Sequence, residues 1–289
     1  MSERASVTAE YMALFRALES MRPARSRLFY DPYAPIFLHG WRRAVWPVAQ
    51  IGPGHRAAER LLDRNAPGAR ASGIARTKWI DDAVTEALEI APQLVLLGAG
   101  YDTRAYRLAA AQRRITFELD QAETSLAKQA ALNSRAVPRV GDVRFVTIDF
   151  SSQSLKVLSD AGFDHEQPAC FVWEGVTNYL SAEAIDDVLR EVRRAAPGST
   201  LIFTYVHRDV LDHPASYYGA ERLTSRLRAF GEPWTFGLLP DEIEAFLSDR
   251  GLRLTADRAV ADIWRAAGRP DSEIHGYEFY RIASASVPV

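Results

Sequence analysis

Three acidic residues each close a short apolar run: Asp120 ends FELD, Asp149 falls in VTIDF and Glu174 in VWEGVTNYL. Upstream, LVLLGAGYDTRAYRL (residues 94–108) carries Gly98 and Gly100 into a turn. Glycines there let the backbone bend tightly and approach a bound ligand closely. Asp120 follows Gly100 by twenty residues, a spacing at which an acidic side chain accepts hydrogen bonds from a ribose diol. Asp149 beside Phe150 suits an exocyclic adenine amine against an aromatic wall. Glu174 stands next to Gly175, where a run hands its last residue to a crevice. Any one acid at a strand end is more often a helix cap or turn former. Three in register with a glycine turn point instead to a nucleotide-like ligand. A dinucleotide fingerprint wants a third glycine where this chain has Thr103, which weakens the NAD reading.

Such a set needs a sheet whose strands end along one edge. From position 93, apolar runs near 94–98, 115–119, 143–148, 169–174 and 200–206 alternate with helical stretches, the pattern of a mostly parallel α/β sheet. Runs near 252–258 and 277–283 have no long helix between them and predict an antiparallel pair at the edge of a seven-stranded sheet. The first 90 residues read as helical, with Tyr11, Leu14, Phe15 and Leu18, and again Trp79, Ile80, Ala83, Val84, Ala87 and Leu88, at helical spacing. Between them, Asp31 to Gly54 reads as loop and broken helix. His207 to Pro240 interrupts the alternation as an insertion near the carboxyl ends of the strands. The expected organisation is one domain over 1–289: a helical cap (1–90), a ligand-binding core (91–206), a lid (207–240) and the end of the sheet (241–289).

With 47% hydrophobic and 25% charged residues, the 289-residue chain reads as globular. A net charge of -2 supplies no broad positive field, so neither nucleic acid nor membrane is expected as a partner. The first twenty residues carry Glu3, Arg4, Glu10 and Arg16 and no signal-peptide core, which predicts a cytoplasmic location. The single cysteine, Cys170, lies in an apolar run and is expected in the core. No histidine pair has metal-ligand spacing, so no metal is expected.

The segments RTKWIDD, LGAGYDTRAYRL, FELD, VTIDF and VWEGVTNYLS, with RLFYDPYAPIFL near the start, resemble in order and spacing the leucine carboxyl methyltransferase superfamily, and especially its bacterial branch linked to polyketide and other secondary metabolism. The resemblance covers roughly residues 20–205 and fades beyond Tyr205. It implies a class I, Rossmann-like fold and S-adenosylmethionine as cofactor. It further implies that Arg76 pairs with the cofactor's carboxylate, Gly98 lies against its methionine part, Asp120 holds the ribose, Asp149 the adenine edge, and Glu174 closes the site toward the acceptor. A basic residue from the N-terminal segment is also implied, among Arg22, Arg25 and Arg27.

Methyl transfer from a sulfonium is an in-line displacement, and alignment alone can contribute roughly 7–11 kcal/mol. An acceptor carboxylate arrives ionised, whereas a phenol of pKa about 10 benefits from a general base. Tyr205, His207 and His213 are the acceptor-side candidates at the end of the fifth strand. Trp41, Trp46, Tyr217, Tyr218, Trp234 and Phe236 either line a pocket for a ring-bearing small molecule or pack a lid. The reading is a methyltransferase acting on a carboxylate or hydroxyl oxygen. Its alternatives are carbon methylation of an electron-rich ring, a non-catalytic S-adenosylmethionine-binding protein and, last, an NAD-dependent oxidoreductase. The oligomeric state stays open.

Overall fold

The computed structural model describes residues 7–138, 141–268 and 275–289. Seven strands form one sheet: β1 (Gln93–Leu97), β2 (Ile115–Asp120), β3 (Asp142–Thr147), β4 (Ala169–Trp173), β5 (Thr200–Val206), β6 (Arg253–Ala259) and β7 (Tyr280–Ser286). Their order is β3-β2-β1-β4-β5-β7-β6. Strands β1 to β5 pair in parallel, and β7 runs antiparallel between β5 and β6. This is the α/β, Rossmann-like sheet of class I methyltransferases. Around it lie helices α1 (Val7–Ser20), α2 (Gly40–Ala49), α3 (Gly52–Asn65), α4 (Ala69–Ala87), α5 (Arg104–Arg107), α6 (Ala122–Ser134), α7 (Val157–Asp160), α8 (Ala182–Arg193), α9 (Asp209–Asp212), α10 (Ala220–Ala229), α11 (Ile243–Ser248) and α12 (Val260–Ala266).

The first five strands fall within one residue of the expected runs. Central parallel strands are covered on both faces, so β1 (QLVLL) and β4 (ACFVW) are uninterrupted and wholly buried. Cys170 is one of these core residues. On one face, Ile74, Ile80 and Val84 of α4 and Val260 and Trp264 of α12 pack on Leu94, Leu96, Val172 and Ile282. On the other, α8 begins at Ser181, whose Oγ accepts from the Ala184 N–H at 3.3 Å. It buries Ile185, Val188, Leu189 and Val192, one helical stripe, against Phe171, Trp173 and Phe203.

Two local expectations change. Residues 40–49 form one continuous helix within the stretch expected as loop and broken helix; Pro47 lacks the N–H that would bond back to Arg43 O, and the helix ends two residues later at Ala49. The last strand begins at Tyr280, three residues later than the apolar run suggested. The preceding aromatics serve helices instead. Tyr277 lies where a Cβ on Gly68 or Gly219, both at positive φ, would stand 2.5 Å or 3.0 Å from its Cε1.

Strand order departs from β1 toward β2 and β3 on one side and toward β4 and β5 on the other. The gap between the carboxyl ends of β1 and β4 is therefore the topological switch point, where open α/β sheets hold ligands. Among the described residues no helix is long and apolar enough to cross a membrane.

Candidate active site

At the switch point β1 delivers Gly98 (φ +70°) and Gly100 (φ +43°). The Gly98 and Ala99 N–H groups both donate to Leu119 O at 2.9 Å, which pins the turn to β2. Asp120, the last residue of β2, receives the Gly100 N–H on Oδ2 at 2.5 Å and the Gln121 N–H on Oδ1 at 2.7 Å. Burial pushes its pKa up, and the two N–H groups and Lys128 hold it back. A carboxylate has about four lone-pair sites, so two bonds leave Asp120 able to accept from a diol.

Opposite, α4 presents Arg76, whose Nε donates to Glu174 Oε1 at 2.7 Å. Arg104 of α5 donates from Nη1 to Glu174 Oε2 at 2.7 Å and to Asp102 Oδ2 at 2.5 Å, and from Nε to Asp81 Oδ1 at 2.8 Å. Burial raises the Glu174 pKa, but Arg104 and Arg76 outweigh it and keep the carboxylate ionised. The network continues outward. Arg107 pairs with Asp81 at 2.6 Å and donates to Thr103 Oγ1 at 3.0 Å. Thr103 in turn donates to Asp31, which Arg16 also holds at 2.8 Å. Arg16, Arg76, Arg104 and Arg107 thus balance Asp31, Asp81, Asp102 and Glu174, and buried charges need such pairing.

The donor set fits the nucleoside cofactor that the resemblance implies. Among the described residues the Arg76 Nη1 and Nη2 atoms have no hydrogen-bond partner; they lie 4.0 and 3.8 Å from where a Gly175 Cβ would be. That leaves the planar end of a guanidinium open for a carboxylate, the geometry arginine suits. Gly98 leaves no room for a side chain, since a Cβ would stand 2.3 Å from Val176 Cγ2. Among the described residues no group of three or more His, Cys, Asp or Glu could hold a metal ion.

The leucine carboxyl methyltransferase family matches residues 9–193. The chain belongs to this family. A Frankia alni protein that carries the name of an S-adenosyl-L-methionine-dependent methyltransferase is 33% identical over 267 residues, 91% of this chain and 89% of its own. A Mycolicibacterium gilvum protein of the same name is 31% identical, over 78% and 73% of the two chains. Among solved structures, a Thermobifida fusca protein described as a methyltransferase superposes with a TM-score of 0.57 at 21% identity, over 94% of this chain and 97% of that one. A DUF574 family protein from Streptomyces avermitilis gives 0.56 at 17%, over 94% and 100%. These two share the fold.

Not every residue singled out for this leucine carboxyl methyltransferase chain gathers at the crevice. Arg76 and Glu174 meet directly, and Gly98, Gly100 and Asp120 line the same edge. Asp149 reaches that edge through its backbone neighbour, since the Ile148 N–H donates to Asp120 O at 2.9 Å. Its carboxylate, though, accepts from Ser151 Oγ at 2.5 Å and Ser151 N–H at 2.9 Å, which lowers its pKa. Phe150 is half-buried against the core below.

Tyr205 points away from the crevice. It is fully buried on the opposite face, donating to Asp257 Oδ1 at 3.0 Å and accepting from Arg281 Nε at 3.1 Å. Alternation along β5 gives the crevice face to Thr204 instead. Thr204 Oγ1 accepts the Gly175 N–H at 2.8 Å and lies 3.3 Å from the Tyr280 hydroxyl. The Tyr280 ring centroid lies 5.1 Å from the Arg76 guanidinium carbon. His207 has its Nδ1 at 3.1 Å from the Tyr217 hydroxyl, and the successive ring contacts of Tyr217, Phe279, Trp234 and Tyr280 lie between it and Arg76. His213 is outside it, paired with Asp209 at 2.9 Å. Of the six candidate lining aromatics, only Tyr217 and Trp234 share a neighbour, Phe279. Trp41 and Tyr218 are exposed, and Trp46 and Phe236 pack in two other clusters.

The basic side chain of the N-terminal segment that touches the glycine turn is Arg16, which donates to Tyr101 O at 2.5 Å. Arg22 instead pairs with Glu19 and Glu59, Arg27 lies over the Tyr30 ring, and Arg25 is exposed. Arg16 stands on the side of α1 opposite the Tyr11, Leu14, Phe15 and Leu18 stripe, and it is buried because residues 13–19 are covered all round, so the apolar spacing carried no signal for it.

Proposed function

We propose that this chain transfers a methyl group from S-adenosylmethionine to a carboxylate oxygen of a small organic acceptor, of the kind met in secondary metabolism. As a methyltransferase of its family it uses S-adenosylmethionine, and the bound sulfonium supplies the methyl group. The observation that carries the residue assignment is the Arg76 guanidinium, anchored by Glu174 through Nε with both Nη atoms left open beside Gly175. Arg76 would take the cofactor's carboxylate, Gly98 would admit its chain against the backbone, and Asp120 would accept from the ribose diol. Asp149 and Phe150 would flank the adenine at the next strand end.

Glu174 holds Arg76 and Arg104 and, with both oxygens engaged, does not serve as a base. His207 is engaged with Tyr217. An acceptor that arrives ionised needs neither, which favours a carboxylate over a hydroxyl. Trp234, 6.2 Å from Tyr280 between ring centroids, supports an apolar acceptor body beside the reacting oxygen. Residues 1–90 would then cap, and 207–240 close, a core of 91–206 completed by 241–289, all one methyltransferase unit.

Calorimetric titration with S-adenosylmethionine, S-adenosylhomocysteine and NAD in parallel tests the cofactor reading, with binding of the two sulfur nucleosides alone as the expected result. Asp120→Ala should weaken that binding by about 1–3 kcal/mol; an unchanged affinity in a folded variant refutes the register. With an acceptor acid in hand, kcat/KM should be flat above the acceptor's own pKa of about 4. A rise through the neutral range would restore a histidine base and a hydroxyl acceptor.

A further inference from the structure

The whole chain is slightly acidic, yet α2 and α3 turn one sign of charge outward. The acids of α3 face inward: Glu59 holds Arg22 and Arg70 at 2.6 and 2.8 Å, and Asp63 holds Arg70 at 2.8 Å. Arg56, Arg60 and Arg64, spaced four residues apart, are exposed, as is Arg43 on α2. Among the described residues none of these four guanidinium groups makes an ion pair or hydrogen bond. Beside them stand large apolar side chains left in water: Trp41, Val48, Ile51 and Leu61 are 50%, 60%, 64% and 53% exposed.

The two sets form rows. Trp41 and Val48 are seven residues apart and share a face of α2. Gly54 lies against Val48, and Leu61, seven residues on, carries that face along α3, with Ile51 at the corner. At the far end of α3 the arginine row enters a groove of about 470 Å³ lined by Arg64, Arg222 and Arg226, with Glu221 its one acid.

We propose that this helical hairpin docks on an anionic bilayer surface, the apolar row entering the boundary between headgroups and acyl chains and the arginines meeting lipid phosphates. Amphipathic helices with an arginine-rich polar face and Trp or aliphatic residues on the other bind membranes in this manner. A solvated basic face would not need Val48, Ile51 and Leu61, and a nucleic acid offers those aliphatic side chains nothing to bury against. The inner side of the hairpin packs, through Trp46, Ala49, Ala58 and Leu62, on the cluster that holds Tyr101 of the glycine turn. Arg42 also ties it to Glu10 of α1 at 3.0 Å. The hairpin thus joins the glycine-turn cluster by its inner side, and docking by its outer side would hold the site near the bilayer surface. Whole-chain composition argued against any membrane partner because the averages cancel a charge separation confined to residues 40–65 and the adjoining groove.

The test is co-sedimentation of the full chain with vesicles of phosphatidylcholine alone and of phosphatidylcholine with roughly 30% phosphatidylglycerol. Binding should be at least about tenfold tighter on the anionic vesicles and should weaken with added salt. Two double variants, Arg56→Glu/Arg60→Glu and Val48→Ser/Ile51→Ser, should each lower it about tenfold or more while S-adenosylhomocysteine titration and thermal melting stay unchanged. Equal partition onto both vesicle types, or binding that survives both double variants, overturns the proposal. So does self-association in sedimentation velocity that the same substitutions abolish, which would give the face to a second copy. Tighter binding to single-stranded RNA than to the anionic vesicles would overturn it as well.

Discussion

Gly98 and Gly100 share a left-handed backbone but not the same surroundings. A Cβ on Gly98 would collide with Val176, the residue that leads out of Glu174 and Gly175; one on Gly100 meets Ala9 Cβ at 3.5 Å and Gly98 O at 3.9 Å, both ordinary contacts. Left-handed backbone alone costs an L residue about 1–2 kcal/mol. Gly100→Ala should lose about that much stability, and Gly98→Ala should lose more and also bind S-adenosylhomocysteine at least about tenfold more weakly, because Val176 must shift the Glu174 loop. Denaturant unfolding and calorimetry read the two effects, and identical behaviour of the two variants would remove Val176 from the argument. Much of this site was legible one residue at a time. A glycine turn and three strand-end acids announce themselves by spacing. Thr204, Tyr280 and Arg104 did not, because a threonine within a strand, a tyrosine opening one and an arginine opening a four-residue helix look ordinary until the fold places them against Gly175, Arg76 and Glu174.

Among the elements, the ion network decides how stability follows pH. Burial raises the pKa of Asp102, but Arg104, Lys128 and the Arg104 N–H outweigh this and bring it to about 2 from 3.8. Glu59 falls to about 2 from 4.5, where His55, Arg70 and Arg22 outweigh its burial. Both carboxylates stabilise the fold above their unfolded pKa values and lose that contribution as pH drops through about 2. Glu118 runs the other way. Buried on β2 against Lys128 of α6 at 2.6 Å, it is pushed by desolvation to about 7 from 4.5. Its protonated form is favoured in the fold, so stability declines as pH rises from 4.5 through about 7. Thermal melting should therefore peak in the mildly acidic range and fall on both sides, and Glu118→Gln should flatten the upper slope. A slope left intact in that variant would rule out Glu118 as its source. Periodicity exposed the strands that frame this network, since buried parallel strands are apolar throughout. It did not expose the helix over 40–49, where proline and glycine suggested a break, nor the start of β7, whose aromatic lead-in is apolar because it packs on glycines of two helices.

On the scale of the molecule, α1 lies across the glycine turn and reaches the segment after β5. Ala9 stands over Gly100, Arg16 holds Tyr101 O, Thr8 donates to Glu232, and the Tyr11 ring stacks on Phe230 at 6.5 Å. Hydrogen exchange should show residues 7–20 and 228–236 gaining protection together when S-adenosylhomocysteine binds. Protection of one segment without the other would mean they do not move as a unit. Such coupling was invisible in the sequence, because residues 224 positions apart leave no local pattern.

The same long reach sets an order of assembly. Arg16 waits for a carbonyl 85 residues downstream and Thr8 for a side chain 224 downstream, so α1 is made well before the residues that complete these two contacts. Closing loops of that length slows folding far more than it lowers stability. Until Tyr101, Tyr106 and Leu132 are made, Leu14 and Leu18 lack part of the cluster that buries them, and in the nascent chain α1 is a helix that a chaperone would hold.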